Sequence, residues 1–142
     1  MKHELPGLSE FASVIAQLHQ TSVSPTGKFG FHITTYRDNQ PMENTWCETW
    51  EDFFTQATRK MVQNEISVQG ESKELYELTE KLCKKVIQRL LRPLEIGGRK
   101  IKPSIVHVDL WHGSVGIKAE TDEPILFDGC TLYAYNECQS DV

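Results

Sequence analysis

The run from Ser104 to Val108 constrains the fold most, because it leads directly into a carboxylate at Asp109. Three of its residues are Ile or Val, the β-branched types that favour strands. Side chains two apart on a strand point to the same face, so His107 and Asp109 are predicted to lie together at the strand end. The sequence thus predicts an acid that a short strand holds in a fixed position.

A second acid follows a predicted hairpin. Residues 115–119 and 124–127 are short apolar runs, and residues 121–123 between them have a turn-forming composition. Such a hairpin ends on Asp128 and folds it back towards Asp109. Two acids that each leave a strand match the way in which kinase-type phosphotransferases place a base beside a metal ligand.

The spacing within this segment fits the same arrangement with one change. In protein kinases the catalytic Asp is followed five residues later by a magnesium-binding Asn, and a second metal-binding Asp comes after a hairpin. Here Ser114 is the fifth residue after Asp109, and Asp128 follows fourteen residues later. A lone His-x-Asp is a weak motif, so a pair that only caps a turn remains an alternative. A zinc site on His107, Asp109 and His112 is another, although a further ligand at short spacing is missing.

Composition limits the classes of protein to which the chain can belong. Its 142 residues suit one domain with a hydrophobic core, and 39% apolar and 25% charged residues are ordinary for a globular protein. A formal net charge of -5 argues against a nucleic-acid-binding surface. The four cysteines show no C-x-x-C pairing and the N-terminal residues lack a secretory core, so we expect free thiols in the cytoplasm. No apolar run is long enough to cross a membrane.

Apolar residues in two segments repeat at steps of three and four, the spacing of one helix face. A first helix is predicted over residues 8–20, with Ser9 as its cap. Another opens at Ser72 and ends at Pro93. Its lysines and glutamates should face solvent, so its apolar stripe should face the core. The stripe consists of Leu75, Leu78, Leu82, Val86 and Leu90.

A long loop and an aromatic helix lie between these two helices. Residues 21–44 are rich in Ser, Thr, Gly, Pro and Asn, and loops of such length usually shape a site. Gly30 stands between two aromatic residues, which suggests close backbone approach or a turn. The capping-box sequence at 45–48 predicts a helix start, and residues 63–70 predict a polar break. The stripe of this helix is more typical of core than of a ligand site, and its members are Trp46, Trp50, Phe53, Phe54, Ala57 and Met61.

The predicted order is helix, long loop, helix, helix, then a strand and a hairpin that carry acids. This order indicates an α+β chain that is mostly helical, with a small β-hairpin at the acidic site. Gly97 and Gly98 predict the tight turn that leads into the central strand.

Several motifs, in the same order along the chain, resemble those of the fructosamine kinase family, whose members are also called ketosamine or protein-ribulosamine 3-kinases. The likeness runs from about Leu8 to Glu137, nearly the whole chain. The motifs are Leu18–Ser22, Gly27–Phe31 with Thr35–Tyr36, Asn44 and Trp46 with Trp50 and Phe53–Phe54, Arg89–Leu94, Pro103–Gly113 and Pro124–Asp128.

This resemblance implies the C-terminal lobe of the protein-kinase-like, aminoglycoside-phosphotransferase-like fold, as a single partial domain without an N-terminal ATP lobe. It implies transfer of phosphate from ATP, with Mg²⁺, to the 3-hydroxyl of a ketosamine on a glycated protein, which repairs glycation. By position, Asp109 would be the catalytic base and Asp128 a magnesium ligand, with Ser114 at the second metal position. The candidate substrate-binding residues are Trp111, His107 and Trp46.

Two positions depart from the family pattern, which has Gly between His and Asp and Asn at the later metal position. Val108 adds bulk where the family has none, and we expect its side chain on the outward face of the strand. The Ser114 hydroxyl can touch magnesium but lacks the carbonyl oxygen and the reach of Asn. The chain also supplies neither a glycine-rich strand turn nor a phosphate-clamping lysine. A lobe that binds a ligand or a partner without catalysis is therefore the alternative to an active kinase.

Overall fold

The computed structural model describes residues 5–139, which form a helix-rich α+β chain, the predicted class. The α-helices are α1 (Leu8–Thr21), α2 (Trp50–Gln69), α3 (Lys73–Leu82) and α4 (Gln88–Leu91). A π-helical turn, Cys83–Ile87, joins α3 to α4 into one rod, which a 3₁₀ turn at Arg92–Leu94 ends. Within the described residues no helix combines the length and the apolar character that crossing a membrane requires.

Three antiparallel strand pairs accompany the helices. The strands are β1 (Tyr36–Arg37) with β2 (Gln40–Pro41), β3 (Ser104–Val106) with β6 (Leu132–Ala134), and β4 (Val115–Ile117) with β5 (Pro124–Leu126). The predicted hairpin is confirmed, and Val115 pairs with Leu126 in it. Strand β6 was not predicted, because three residues give too short a pattern and its partner β3 lies far away in the sequence.

The hydrophobic core lies between the long loop, the start of α2 and the β3–β6 pair. Its buried members are Phe29, Cys47, Trp50, Phe53, Val106, Leu132 and Ala134. Trp50 stacks on Phe53 with ring centroids 5.5 Å apart. The predicted aromatic stripe is therefore correct for these two residues, whereas Phe54 and Met61 are exposed. Because Val106 is the last residue of β3, the core fixes the point from which the chain enters the acidic segment.

Helix α2 starts later and runs further than predicted. Residues 45–48 do not start the helix, because the backbone of Cys47 pairs with Phe29 through hydrogen bonds of 2.8 and 3.0 Å. The helix instead begins after Thr49, whose hydroxyl accepts the amide of Asp52 at 3.1 Å. It continues through the predicted polar break and ends at Gly70, where φ is +96°. Tertiary pairing at one end and contacts with α3 at the other outweigh these local signals.

The two other predicted helices are present, with one corrected cap. Helix α1 starts one residue before Ser9, and the Gly7 amide instead donates to the Glu10 carboxylate at 3.2 Å. The Ser72 cap is confirmed, since its hydroxyl accepts the amide of Leu75 at 3.2 Å.

The apolar stripe of the α3–α4 rod does not face the core. The rod packs on α2 through Thr79, Cys83 and Ile87, which are buried. Four predicted core positions lie on another face and are 42–63% exposed, and we call them the outer stripe: Leu78, Leu82, Val86 and Leu90. The sequence pattern identified an apolar face correctly, but two faces of the rod carry apolar residues and only one meets α2.

We expect the outer stripe to make the isolated chain self-associate, because contiguous exposed apolar patches drive association. Leu82→Glu should weaken that association about tenfold or more, since burying an unpaired charge is unfavourable. Sedimentation velocity and binding of a hydrophobic dye measure the effect. Val68→Glu is the matched control, because Val68 is 75% exposed but lies outside the outer stripe. A parent chain that stays monomeric and binds no dye would contradict the prediction.

Candidate active site

The segment after β3 does not continue as a strand. β3 ends at Val106, and Val108 takes a left-handed conformation with φ +66°. The alternation of side chains that would place His107 beside Asp109 therefore does not apply. His107 is buried, at 5% exposure, whereas Asp109 is half-buried. The expectation of a shared strand face was wrong, because the strand ends before these two residues and Val108 between them is not extended.

Val108 occupies a conformation that suits glycine. A left-handed backbone costs an L-residue about 1–2 kcal/mol, and the cost is greatest for β-branched types. The side chain is half-buried and packs against the core, so the expectation that it faces outward was also wrong. Packing of the valine therefore offsets part of a backbone strain that glycine would not carry.

We expect Val108→Gly to be more stable than Val108→Ala by about 1 kcal/mol. Both variants lose the packing of the valine, but only glycine removes the left-handed strain. Urea denaturation measures the free energy of unfolding of each variant. At Val106, which lies in extended β3, the same pair of substitutions should show the usual order, with glycine less stable. An alanine variant at 108 that matches or exceeds the glycine variant would refute the strain.

The loop from Asp109 to Ser114 is closed by the Ser114 side chain. Its hydroxyl donates to the Asp109 carbonyl oxygen at 2.7 Å and accepts the amide of Trp111 at 3.2 Å. The Ser114 amide donates to the Trp111 carbonyl oxygen at 3.0 Å, which forms a 3₁₀ turn. Ser114 is 1% exposed. The backbone that carries Asp109 is thus anchored to a buried hydroxyl.

The second acid-bearing loop is tied to the first through Phe127, the residue before Asp128. The Phe127 amide donates to the Ser114 carbonyl oxygen at 3.1 Å. The Phe127 carbonyl oxygen lies 2.9 Å from Nε2 of His107, so this nitrogen carries the proton. Asp128 itself is exposed, with φ +59°. These two hydrogen bonds thereby hold the two acid-bearing loops together at the residues that flank the acids.

Behind these loops, a network that the sequence analysis missed supports His107. The Gln139 side-chain oxygen accepts the backbone amide of His107 at 3.2 Å and lies 2.9 Å from Nε2 of His19 in α1. The Lys102 ammonium donates to the carbonyl oxygens of His19 and Gln20 at the end of α1. The family motif at 18–22 was the only sequence signal for this contact, and it gave His19 no role.

Trp111 projects from the Asp109 loop and is 53% exposed. Its ring lies over Gly113, where a Cβ atom would overlap the indole. Beside it is a hollow of about 200 Å³, whose other walls include Leu5, Pro6 and Phe11. An exposed indole suits contact with a flat or apolar ligand surface. The assignment of Trp111 to the substrate stays a prediction.

The other two residues predicted at the substrate are less open. Trp46 is half-buried in the extended segment before α2, with its ring centroid 6.2 Å from that of Tyr133 on β6. The buried His107 ring donates a hydrogen bond to the Phe127 carbonyl oxygen, so its observed contact holds the loop that carries Asp128. Substrate contact by these two residues stays a prediction.

The long loop contacts the segment that follows Asp128, and its role in shaping a site stays a prediction. The Cys130 thiol, two residues after Asp128, donates to the Thr35 hydroxyl at 3.9 Å. Burial raises the pKa of this thiol, the Thr35 contact and the charge of Arg37 lower it, and the charge of Asp109 raises it. The contact with Thr35 ties the long loop to the segment that follows Asp128.

The donor set fits magnesium at one of the two predicted positions. Among residues 5–139, no three His, Cys, Asp or Glu side chains cluster as a metal site, so the zinc alternative gains no support. Magnesium in kinases needs only one or two carboxylates together with substrate phosphates. Asp128 is exposed and meets that need, whereas the Ser114 hydroxyl is buried and bonded within its own loop. The fit thus rests on Asp128.

Solved structures define the class of fold that holds this site. A candidate fructosamine-3-kinase from Thermobifida fusca YX-ER1 aligns with a TM-score of 0.74, covering 98% of this chain and 46% of that one at 21% identity. A second from Haemophilus somnus 129PT aligns with a TM-score of 0.63, covering 96% of this chain and 43% of that one, also at 21% identity. The chain therefore has the kinase-like fold of these structures.

Sequence relatives narrow the class to one family. The fructosamine kinase family model matches residues 3–141, and the chain belongs to that family. A chloroplastic protein-ribulosamine 3-kinase from Oryza sativa subsp. indica is 30% identical over 128 residues, 88% of this chain and 34% of the relative. A ketosamine-3-kinase from Mus musculus is 30% identical over 110 residues, 78% of this chain and 33% of the relative. The chain thus spans about a third of the length of these relatives.

Proposed function

We propose that the chain is the C-terminal lobe of an ATP-dependent kinase that phosphorylates the 3-hydroxyl of ketosamines, ribulosamines or fructosamines, on protein amines. Such a transfer initiates the repair of glycated protein. The observation that carries the proposal is the fastening of the Asp109 loop to the Asp128 loop in a chain of this family, through hydrogen bonds from Phe127 to Ser114 and His107.

In this mechanism Asp109 acts as the base. Its carboxylate orients the sugar hydroxyl and accepts its proton, while the hydroxyl oxygen bonds to the γ-phosphorus and ADP leaves. Asp128 would hold the magnesium ion, which neutralises charge on the phosphates of ATP. The exposed face of Trp111 would pack against the sugar. Little covalent chemistry is required of the protein, so most of the rate enhancement comes from positioning.

The proposal includes a cytoplasmic location and a glycated protein or a small ketosamine as partner. The cysteines Cys47, Cys83, Cys130 and Cys138 are free thiols, which suits a reducing compartment. The rice relative is described as chloroplastic, so the compartment of this chain stays a prediction. Neither nucleic acid nor a membrane is proposed as a partner.

A second candidate function is a lobe that binds a ketosamine or a protein partner without transferring phosphate. It is favoured because the Ser114 hydroxyl is buried and hydrogen-bonded within its own loop. Of the two predicted magnesium ligands, only Asp128 is then left to hold the metal that phosphate transfer requires. One assay separates the two functions. The purified chain is incubated with magnesium and γ-labelled ATP, together with a ribulosyl-lysine peptide or its unmodified counterpart. Label on carbon 3 of the sugar supports the kinase, whereas ketosamine binding without label supports the binding lobe.

A further inference from the structure

Ser114 is the point at which the loops of Asp109 and Asp128 meet. Its hydroxyl contacts the Asp109 carbonyl oxygen and the Trp111 amide, and its own carbonyl oxygen accepts the Phe127 amide. One residue therefore holds the backbone of the proposed base through its side chain, and the backbone beside the proposed metal ligand through its main chain.

The same contacts argue against a metal-binding role for this side chain. A serine hydroxyl has one proton and two lone pairs. The proton lies towards the Asp109 carbonyl oxygen at 2.7 Å, with the Trp111 carbonyl oxygen as a longer alternative at 3.1 Å. The Trp111 amide occupies one lone pair, and the residue is 1% exposed, so a hydrated cation has no access to the other.

We propose that Ser114 is a positioning residue that sets Asp109 in place, and that the site holds its divalent cation through carboxylate and phosphate oxygens without the side chain at position 114. This inference rests on the proposed function and changes one of its assignments. An asparagine at this position can bind metal, but the serine here gives only the loop closure. The chain would then bind metal with one protein ligand fewer than a kinase site that has asparagine at this position.

The test compares Ser114→Ala with the parent chain by two measurements that need no catalysis. Amide hydrogen exchange, resolved by NMR, should be about tenfold faster at Trp111, since one hydrogen bond to that amide is lost. Exchange at Phe127 should not change, because its partner is the backbone oxygen of residue 114. Binding of Mn²⁺, measured by electron paramagnetic resonance, should stay within about twofold, because the position of Asp128 is preserved.

Ser67→Ala is the matched control, since the Ser67 hydroxyl also donates to a backbone oxygen, that of Asn64 at 2.6 Å, but in α2. It should alter neither exchange at Trp111 nor Mn²⁺ binding. If Ser114→Ala fails to fold, Ser114→Cys keeps a similar volume with a weak donor and should show the same faster exchange. Where transfer is measurable, Ser114→Ala should lower kcat roughly tenfold and leave KM within a few-fold.

Two outcomes would overturn the inference. A loss of Mn²⁺ affinity of about tenfold or more in Ser114→Ala would make the hydroxyl a metal ligand. Unchanged exchange at Trp111 would show that the hydroxyl does not hold the loop. Failure of the parent chain to bind Mn²⁺ would instead count against the proposed kinase site, and the exchange measurement would still decide the role of Ser114.

Discussion

Replacing Asp109 with Asn is expected to lower kcat for the proposed ketosamine phosphorylation by about 100-fold or more. Asparagine keeps the size of the side chain but cannot accept the proton of the sugar hydroxyl. The loop should keep its shape, because its closing hydrogen bond uses the backbone oxygen of residue 109 and not the carboxylate. The loss should therefore fall on kcat, while KM changes little.

Steady-state transfer to a ribulosyl-lysine peptide measures this effect. Asp122→Asn is the matched control, because Asp122 is an exposed acid in the turn of the β4–β5 hairpin, where φ is +58° and asparagine is well tolerated. We expect that control to retain activity within about twofold, as surface changes usually do. An Asp109→Asn protein with activity within a few-fold of the parent would reject Asp109 as the base.

The largest expected loss of stability comes from Gly30→Ala, at about 3 kcal/mol or more. Gly30 has φ +134°, and a Cβ atom there would lie 2.8 Å from the Asn44 carbonyl oxygen. The obstacle is backbone, so rotation of a side chain cannot relieve it. Gly30 also exchanges two hydrogen bonds of 2.9 Å with Tyr133 on β6, and the clash would strain both.

Urea denaturation of Gly30→Ala and Gly27→Ala separates the clash from the cost of the backbone conformation. Gly27 has φ +71° but nothing within 4 Å of the position of its Cβ. Its alanine variant should therefore lose only the left-handed cost, about 1 kcal/mol. Equal losses in the two variants would mean that Gly30 moves freely away from the Asn44 backbone, which would contradict the close approach of these two segments.

Local patterns predicted those elements that local interactions determine. The β4–β5 hairpin follows from its turn residues, and the helix after Ser72 follows from its cap. The predicted start of α2 was wrong because the backbone of Cys47 pairs with that of Phe29, a residue that only the folded chain brings near. Which apolar face of the α3–α4 rod is buried depends on where α2 packs, and the period of apolar residues does not contain that information.

The candidate site likewise has features that the local sequence predicts and features that depend on distant contacts. Asp109 and Asp128 could be located from their places after apolar runs, and the family motifs gave each of them a predicted role. The left-handed conformation of Val108 could not be predicted from its own propensity, which favours strands. No local sequence pattern indicated the hydrogen bonds of Gln139, because its partners His19 and His107 lie far away in the sequence.

The π-helical turn at Cys83–Ile87 explains why a strict four-residue repeat can mark two straight faces of one rod. In an α-helix, residues four apart advance by about 400°, so Thr79, Cys83 and Ile87 would drift by about 40° at each step. The wider turn adds one residue to its circuit and cancels most of that drift. Rewinding residues 83–87 as a regular α-helix without changing their number would therefore rotate everything after them by about 100° and separate Arg92 from Glu51, its partner on α2. Deleting one residue between 83 and 87 should instead restore an ordinary α-helical turn and keep this ion pair. The four-residue apolar repeat thus fits a helix that contains a π turn. These five residues set the rotation of α4 relative to α3 about the axis of the rod.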